Sequence, residues 1–275
     1  MNLSRLESKA DSFGAPTQGM ARHPKEVIAE YWDLRSRSYV RGITARGDEE
    51  RKVWMRSLAA NIADLHIRRA LDVGTGAGFL SFVLDEMGLD VTGMDLSRGM
   101  LSQAKEASCH QRSDLSLCQG DAESLPFRSS SFDLVVSRHL LWTLPDPERA
   151  LIECKRVLRP GGRILAIDGY WFDPSARKRL ARGISGLLAS FSRDGNPVPF
   201  RSFYRPIEKH LPLYQNSRPN RCQELFEAAG LDDVAIDRLD EVNCFYGKNA
   251  NLSFRLANTN TVFLVKGEKA AGPKK

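Results

Sequence analysis

Hydrophobic and polar positions alternate regularly along the middle of the chain, from Ala70 to Asp168. Short apolar runs such as "RALDVG" and "SFDLVVSRH" are separated by longer stretches in which apolar residues recur every three or four positions. The short runs predict buried strands, and the longer stretches predict amphipathic helices. Because strands that alternate with helices form a parallel sheet, we expect an α/β fold: a Rossmann-like, mostly parallel sheet with helices on both faces.

The individual elements can be placed on the sequence. Five strands are predicted over "RALDVG", "LDVTGMD", "LSLCQGD", "SFDLVVSRH" and "RILAID". Ser97 is a good N-cap for the helix after the second strand, and Pro160-Gly161-Gly162 ends the helix before the fifth. Later, "LDDVAIDRL" and "TNTVFLVKGEK" predict a closing strand pair, and "PKEVIAEYWDLRSRSYVRG" and "DEERKVWMRSLAANIADL" predict two helices upstream of the sheet.

The same patterns divide the chain into segments. We expect a disordered N-terminus (1–22), two N-terminal helices (23–68), the Rossmann-like core (69–169), a basic and aromatic insert (170–219), the closing helix and strands of the core (220–267) and a disordered tail (268–275). The insert breaks the strand–helix rhythm and holds one short helical pattern, over residues 176–191.

The distribution of charge and the positions of the cysteines favour some kinds of function and exclude others. Residues 70–169 hold 10 Lys/Arg and 14 Asp/Glu, whereas residues 170–221 hold 10 Lys/Arg and only 3 Asp/Glu. The net charge of +6 therefore comes largely from the insert, which favours an anionic partner there. The five cysteines are scattered without a CxxC pair, so they match neither a disulfide framework nor a zinc site. The sequence has no apolar run of membrane-spanning length and no signal-peptide pattern, and predicts a cytoplasmic protein without membrane insertion.

A glycine-rich turn follows the first predicted strand, in "LDVGTGAGF". In a doubly wound sheet such a turn places its ligand at the carboxyl ends of the strands. The spacing of Gly74, Gly76 and Gly78 is GxGxG, which differs from the GxGxxG of dinucleotide-binding turns, and no Lys-Ser/Thr follows as in a P-loop. Asp72 directly precedes the turn, where its charge would repel a pyrophosphate.

Carboxylates at successive strand ends instead suit a cationic ligand without phosphate. Asp95 ends the second strand, where it can accept hydrogen bonds from ribose hydroxyls, and Asp121 ends the third, where an adenine amino group needs an acceptor. Either acid alone is explained equally well as a strand-end cap. Together with Asp72 and the turn, they favour S-adenosylmethionine as the cofactor.

Two long stretches carry a family resemblance. "LDVGTGAGFLSFVLDEMGLDVTGMDLSRGMLSQAKE" and "QGDAESLPFRSSSFDLVVSRHLLWTLPDPERALIECKRVLRPGGRILAID" resemble class I S-adenosylmethionine-dependent methyltransferases, in particular the group similar to ubiquinone/menaquinone-biosynthesis methyltransferases. The resemblance covers residues 31–266. It implies a seven-stranded sheet whose last strand is antiparallel, and it places substrate specificity in the insert, as a cap. The cofactor-binding residues that it implies are Tyr31, Arg35, Tyr39, Asp72, Gly74, Thr75, Gly76, Gly78, Asp95, Leu96, Asp121, Ala122, Glu123 and Arg138.

The stretch "YWDLRSRSY" resembles the N-terminal helix that closes over the cofactor in this group. Tyr31, Arg35 and Tyr39 recur at helical spacing and therefore share a face. A lid and a plain packing stripe both fit this pattern.

Methyl transfer needs a general base only when the acceptor arrives protonated. His139 follows the fourth strand at the mouth of the expected site and is our candidate base, with a hydrogen-bonding loop histidine as the alternative. The candidate substrate residues are Trp142, Tyr170, Trp171, Tyr204, Arg205 and His210.

The sequence thus predicts an S-adenosylmethionine-dependent methyltransferase, a monomer or homodimer, that acts on a small molecule. The basic insert favours an anionic acceptor. The alternatives are a methyltransferase acting on RNA or on a quinone precursor, a NAD-dependent Rossmann oxidoreductase, and a cofactor-binding protein without catalysis. Nucleic acid ranks low because the chain carries no RNA-binding module that we recognise.

Overall fold

The computed structural model describes residues 22–43, 47–169, 203–214, 216–249 and 262–271. Its helices are α1 (Pro24–Ile43), α2 (Gly47–Ile62), α3 (Phe79–Glu86), α4 (Arg98–Gln111), α5 (Pro147–Val157), α6 (Pro219–Ala228) and α7 (Asp240–Asn249). Its strands are β1 (Arg69–Val73), β2 (Asp90–Asp95), β3 (Ser116–Gln119), β4 (Phe132–Arg138), β5 (Leu158–Gly169), β6 (Asp232–Asp237) and β7 (Val262–Glu268). Tyr170, Trp171, the helical pattern of the insert, residues 1–21 and residues 272–275 lie outside the described residues.

The strands form one open sheet in the order β3-β2-β1-β4-β5-β7-β6. Strands β1 to β5 run parallel, and β7 pairs antiparallel with both β5 and β6. This arrangement confirms the predicted α/β fold. The strand order reverses between β1 and β4, and ligands of such sheets bind at the carboxyl ends of the strands beside this point.

Apolar side chains from the two faces of the sheet form two separate cores. Along β4, Val135 belongs to the core beneath α1, α5 and α6, whereas Leu134 and Val136 belong to the core beneath α2, α3 and α7. This alternation follows from the two-residue period of a strand. None of the helices in the described ranges is both long and apolar enough to cross a bilayer.

Two elements differ from the sequence-based expectation. Strand β5 begins at Leu158, earlier than predicted, because Pro160-Gly161-Gly162 bends within the strand: the Gly161 N–H donates to the Lys269 carbonyl at 2.8 Å. The pattern did not predict α7, which has few apolar residues and is held by long-range contacts. One of these is the hydrogen bond from the Tyr246 hydroxyl to Glu50 of α2, at 2.6 Å.

Helix α1 is fixed to the first residues of α4. The Asp33 carboxylate accepts hydrogen bonds from the Ser97 hydroxyl at 2.6 Å and from the Gly99 N–H at 2.7 Å. A Cβ atom on Gly99 would come within 3.0 Å of the Asp33 Cα, so only glycine permits this approach. The contact places α1 beside the carboxyl end of β2, where Ser97 follows the strand.

Candidate functional site

The glycine turn after β1 shapes one wall of the site. Gly74 has a φ of 72°, in the left-handed region that favours glycine, and a Cβ atom there would meet the Leu140 Cδ1 at 2.9 Å. The N–H groups of Gly74 and Thr75 donate to the Met94 carbonyl at 2.8 and 2.9 Å. These bonds hold the turn against the end of β2.

Two adjoining clefts open at this end of the sheet, and they share Tyr39, Gly74, Gly76 and Arg138. The larger cleft, about 790 Å³ with its open mouth included, is lined by Lys25, Ile28, Ala29, Trp32, Tyr39, Gly74, Gly76, Met94, Asp95, Leu96, Ser97, Met100, Gly120, Asp121, Ala122, Arg138, His139, Leu140, Thr143, Leu144 and Pro145. The smaller cleft, about 300 Å³, is lined by Tyr39, Asp72, Gly74, Thr75, Gly76, Ala77, Phe79, Leu80 and Arg138. Together they are of the size of a small-ligand site.

Asp95 lies at the end of β2 in the larger cleft. Its Oδ2 accepts a hydrogen bond from the Gly76 N–H at 2.8 Å, and its Oδ1 accepts one from the Ser97 N–H at 2.8 Å. Burial raises the pKa of Asp95 to about 6, with smaller contributions from the charges of Asp72 and Asp33, against the lowering effect of these two bonds. Each carboxylate oxygen keeps a second lone pair, so the group can still accept hydrogen bonds from a ligand.

Asp121, after β3, also lines the larger cleft. Its Oδ1 accepts from the Glu123 N–H at 3.0 Å, and its Oδ2 accepts from the Lys25 ammonium at 2.6 Å. Lys25 also forms an ion pair with Glu123. Burial would lower the pKa of Lys25, but the hydrogen bonds and charges of the two acids outweigh it and raise the pKa. Helix α1 is thereby joined to the loop after β3.

Asp72 occupies the floor of the smaller cleft and is almost fully buried. The Ser81 hydroxyl donates to its Oδ2 at 2.8 Å, and Thr75 Oγ1 lies 2.9 Å from the same hydroxyl. Burial raises the pKa of Asp72, while these hydrogen bonds and the charge of Arg138 lower it. The smaller cleft therefore has an acid on its floor and a cation, Arg138, in its wall.

His139 directly follows β4, with its backbone in the left-handed region at a φ of 59°. Its N–H donates to the Ile167 carbonyl at 2.7 Å, which joins it to β5. The His139 Nδ1 lies 4.0 Å from the Asp168 Oδ1, and the two side chains are 21% and 1% exposed. Burial, and then the charge of Arg138, lower the pKa of His139 well below its usual value, so the imidazole is neutral at pH 7.

The residues predicted from the sequence divide into two groups. Tyr39, Asp72, Gly74, Thr75, Gly76, Asp95, Leu96, Asp121, Ala122, Arg138 and His139 line one or both clefts. Tyr31, Arg35, Gly78, Glu123, Trp142, Tyr204, Arg205 and His210 are absent from both linings.

The structure explains why five residues of the second group do not line a cleft. Tyr204 is fully buried in an aromatic cluster, with its ring centroid 5.1 Å from Tyr31, 6.4 Å from Trp142 and 6.1 Å from Tyr214. Tyr31, Trp142 and Tyr204 thus pack in the core, which was the alternative role for Tyr31 and Trp142 and was not expected for Tyr204. Arg205 and His210 are exposed on the surface.

The residues that close the cleft from α1 were missed by sequence reasoning. Lys25, Ile28, Ala29 and Trp32 recur at a spacing of three and four, the signature of one helix face. The predicted stripe was Tyr31, Arg35 and Tyr39, and of these three Tyr39 lines the clefts. Both stripes contain apolar and polar residues, so the spacing alone does not determine which stripe faces the sheet and which faces the cleft.

Comparison with known proteins decides between the ligands that fit this site. Residues 71–166 match the family model described as a methyltransferase domain. A demethylmenaquinone methyltransferase of Staphylococcus haemolyticus (strain JCSC1435) is 37% identical over 198 residues, which cover 68% of this chain and 78% of that protein. The chain belongs to the S-adenosylmethionine-dependent methyltransferases. This confirms the family predicted from the sequence.

One further relative agrees with this family, and one solved structure shares the fold. A demethylmenaquinone methyltransferase of Renibacterium salmoninarum is 33% identical over 147 residues, which cover 54% of this methyltransferase and 60%, less than two thirds, of that relative. The fold matches that of Haemonchus contortus phosphoethanolamine N-methyltransferase 2, solved with phosphomonomethylethanolamine and S-adenosylhomocysteine. The TM-score is 0.59 at 19% identity, over 90% of this chain and 61% of that chain.

S-adenosylmethionine is the cofactor of this methyltransferase, and the clefts fit it. Acceptors for sugar hydroxyls and an amino group stand at Asp95 and Asp121, and Asp72 and Arg138 match an ammonium and a carboxylate. The comparisons support neither a NAD-dependent oxidoreductase nor an RNA-specific enzyme.

Proposed function

We propose that this methyltransferase acts on a small aromatic acceptor that carries a hydroxyl group, of the quinol type. The observation that carries the proposal is His139, a neutral imidazole in the wall of the larger cleft with the buried carboxylate of Asp168 beside it. The relatives named demethylmenaquinone methyltransferases support the same acceptor class.

In this proposal the strand ends hold the cofactor by its separate parts. Gly76 and Gly74 would lie along the methionine part, Asp95 would accept from the ribose hydroxyls, and Asp121 would accept from the adenine amino group. Arg138 would pair with the carboxylate of the methionine part. The bound cofactor supplies an electrophilic methyl group on a sulfonium.

His139 takes the proton that the acceptor must lose. The neutral imidazole accepts the hydroxyl proton, and the electron pair left on the acceptor makes its oxygen or a ring carbon nucleophilic. Methylation at carbon would then release the ring proton, and the oxygen would recover its own proton from the imidazolium. The Asp168 carboxylate, 4.0 Å from the His139 Nδ1, lies close enough to stabilise the imidazolium, because a buried carboxylate near a cation favours the charged form. The acceptor would take the methyl group that the cofactor supplies, and S-adenosylhomocysteine would be the other product.

The apolar wall of the larger cleft serves the same reaction. Trp32, Leu140 and Leu144 line it with no charged group of their own. These side chains exclude water from the reacting groups. Charge is dispersed in the transition state of methyl transfer, so an apolar surrounding does not destabilise it. The aligned geometry supplies the rest of the rate.

The test is a methylation assay with the intact protein, S-adenosylmethionine and an anaerobically reduced 1,4-naphthohydroquinone, followed by mass spectrometry. We expect a methylated product and S-adenosylhomocysteine in equal amounts. His139→Gln should lower kcat about 100- to 10,000-fold, because general-base catalysis contributes that much, while the affinity for S-adenosylhomocysteine is retained.

His110→Gln is the matched control, since His110 is exposed on α4 and distant from the cleft lining. It should keep full activity. Absence of any methylated hydroquinone, or an unchanged kcat in His139→Gln, would overturn the proposal.

The anionic acceptor predicted from the basic insert stays a prediction, because the arginines between residues 170 and 202 lie outside the described residues. A cytoplasmic location and a monomeric or homodimeric state are predictions of the same kind.

A further inference from the structure

Arg138 packs against two aromatic rings: Phe79, which also lines the smaller cleft, and Trp54, which lines neither cleft. Its guanidinium carbon lies 4.2 Å from the centroid of the Phe79 ring and 5.7 Å from that of Trp54. The two rings meet edge to face, with centroids 6.2 Å apart. A planar guanidinium stacks on such faces, whereas an ammonium does not share this geometry.

A buried chain of hydrogen bonds continues from Trp54. The Trp54 Nε1–H donates to the Tyr246 hydroxyl at 3.2 Å, and the Tyr246 hydroxyl donates to the Glu50 Oε1 at 2.6 Å. Trp54 is 1% exposed, Glu50 is 3% exposed and Tyr246 is 8% exposed. We name Glu50, Tyr246 and Trp54 the support chain. Its members come from α2 and α7 and line neither cleft.

The charges around Arg138 link the support chain to the site. The guanidinium lowers the pKa of Asp72 in the smaller cleft and that of Tyr246 in the support chain, which in each case opposes the larger effect of burial. Arg138 therefore acts electrostatically on both sides, and its side chain lines both clefts.

We propose that Glu50, Tyr246 and Trp54 are positioning residues that hold Arg138 in the orientation that binds the carboxylate of the cofactor's methionine part. The proposal rests on the role given to Arg138 under the proposed function. It adds that residues of α2 and α7 that line neither cleft set the affinity for that one part of the cofactor.

Loss of the Tyr246 hydroxyl would interrupt the hydrogen bonds of the support chain. Without the Tyr246 hydroxyl, the Trp54 N–H and the Glu50 Oε1 lose a partner inside the core, and both must rearrange to recover one. The Trp54 ring is then no longer fixed, so neither is the plane of the guanidinium that lies over it. A carboxylate is recognised by a guanidinium only in a defined plane, so the contact weakens.

The experiment measures binding of two probes by isothermal titration. S-adenosylhomocysteine carries the carboxylate, and 5′-methylthioadenosine has the same nucleoside and thioether without the amino-acid part. We expect Tyr246→Phe to weaken S-adenosylhomocysteine about tenfold and to leave 5′-methylthioadenosine unchanged. Arg138→Gln should show the same selectivity with a loss of about 100-fold.

Tyr214→Phe is the control, because Tyr214 is a buried tyrosine of the aromatic cluster in the other core. It should bind both probes as the unaltered protein does. Trp54→Phe is the second variant, in case Tyr246→Phe does not fold, and it should show the same selective loss.

Two results would overturn the inference. Equal weakening of both probes in Tyr246→Phe and Trp54→Phe would mean a general structural role, and unchanged binding of both would mean that the support chain does not act on Arg138. No acceptor is present in this experiment, so failure of the quinol proposal would leave its outcome unaffected.

Discussion

The Asp95 carboxylate joins two elements of the fold and lines the larger cleft. Its two oxygens accept from Gly76 and Ser97, which joins the glycine turn to the start of α4. Under the proposed function, the ribose hydroxyls of the cofactor donate to the lone pairs that remain. Burial raises the pKa of Asp95 to about 6, close to physiological pH. The proposal therefore predicts that the protonation state of this one residue controls cofactor affinity.

We expect the affinity for S-adenosylhomocysteine to fall below about pH 6, by up to about tenfold per pH unit, because the hydroxyl donors bind the ionised carboxylate and protons compete with them. The raised pKa makes the folding stability depend on pH in the opposite direction. The folded state holds this proton more tightly than the unfolded state, so the stability that it contributes is lost as pH rises through about 6.

Titration calorimetry between pH 5 and 8 checks the binding side. Asp95→Asn should remove the pH dependence, and Asp64→Asn is the control, since Arg163 holds the pKa of Asp64 at about 2. An affinity of the unaltered protein that stays flat down to pH 5 would contradict this account.

At the scale of elements, helix α1 covers the larger cleft and is held by both polar and apolar contacts. The Asp33 carboxylate accepts from the first residues of α4, and Lys25 pairs with Asp121 and Glu123 after β3. Between these points, Trp32 and other residues of the same helix face line the larger cleft. The two polar contacts therefore add to the core packing of Val27, Ile28 and Tyr31 that holds α1 in place.

We expect Asp33→Ala to lower the free energy of unfolding by about 1 kcal/mol, the usual effect of a lost helix cap. Hydrogen exchange of the α1 amides should accelerate, and S-adenosylhomocysteine should bind several-fold more weakly, because α1 is then held less firmly over the cleft. Glu26→Ala, an exposed substitution in the first turn of α1, should change none of these quantities. Unaltered exchange in Asp33→Ala would show that α1 is held by other contacts.

For the whole molecule, the sequence determined more of the sheet than of its surroundings. The period-two and period-3.6 patterns predicted strands β1 to β7, and the strand-end acids Asp95 and Asp121 do line the cleft. Helix α7 and the cleft-facing side of α1 escaped prediction. Their placement depends on long-range contacts such as Tyr246 with Glu50, which no local pattern reports. Tyr204 illustrates the same limit. The local sequence around an aromatic residue in a basic segment does not distinguish a ring that packs in a core from one that contacts a ligand.

A crystal structure of the intact protein with S-adenosylhomocysteine would show whether the strand ends hold the cofactor as proposed. We expect ribose hydroxyls on the Asp95 carboxylate, the adenine amino group at Asp121 and the ligand carboxylate on the Arg138 guanidinium. A nucleoside bound away from Asp95 and Asp121, or a ligand carboxylate pointing away from Arg138, would be incompatible with the proposed site.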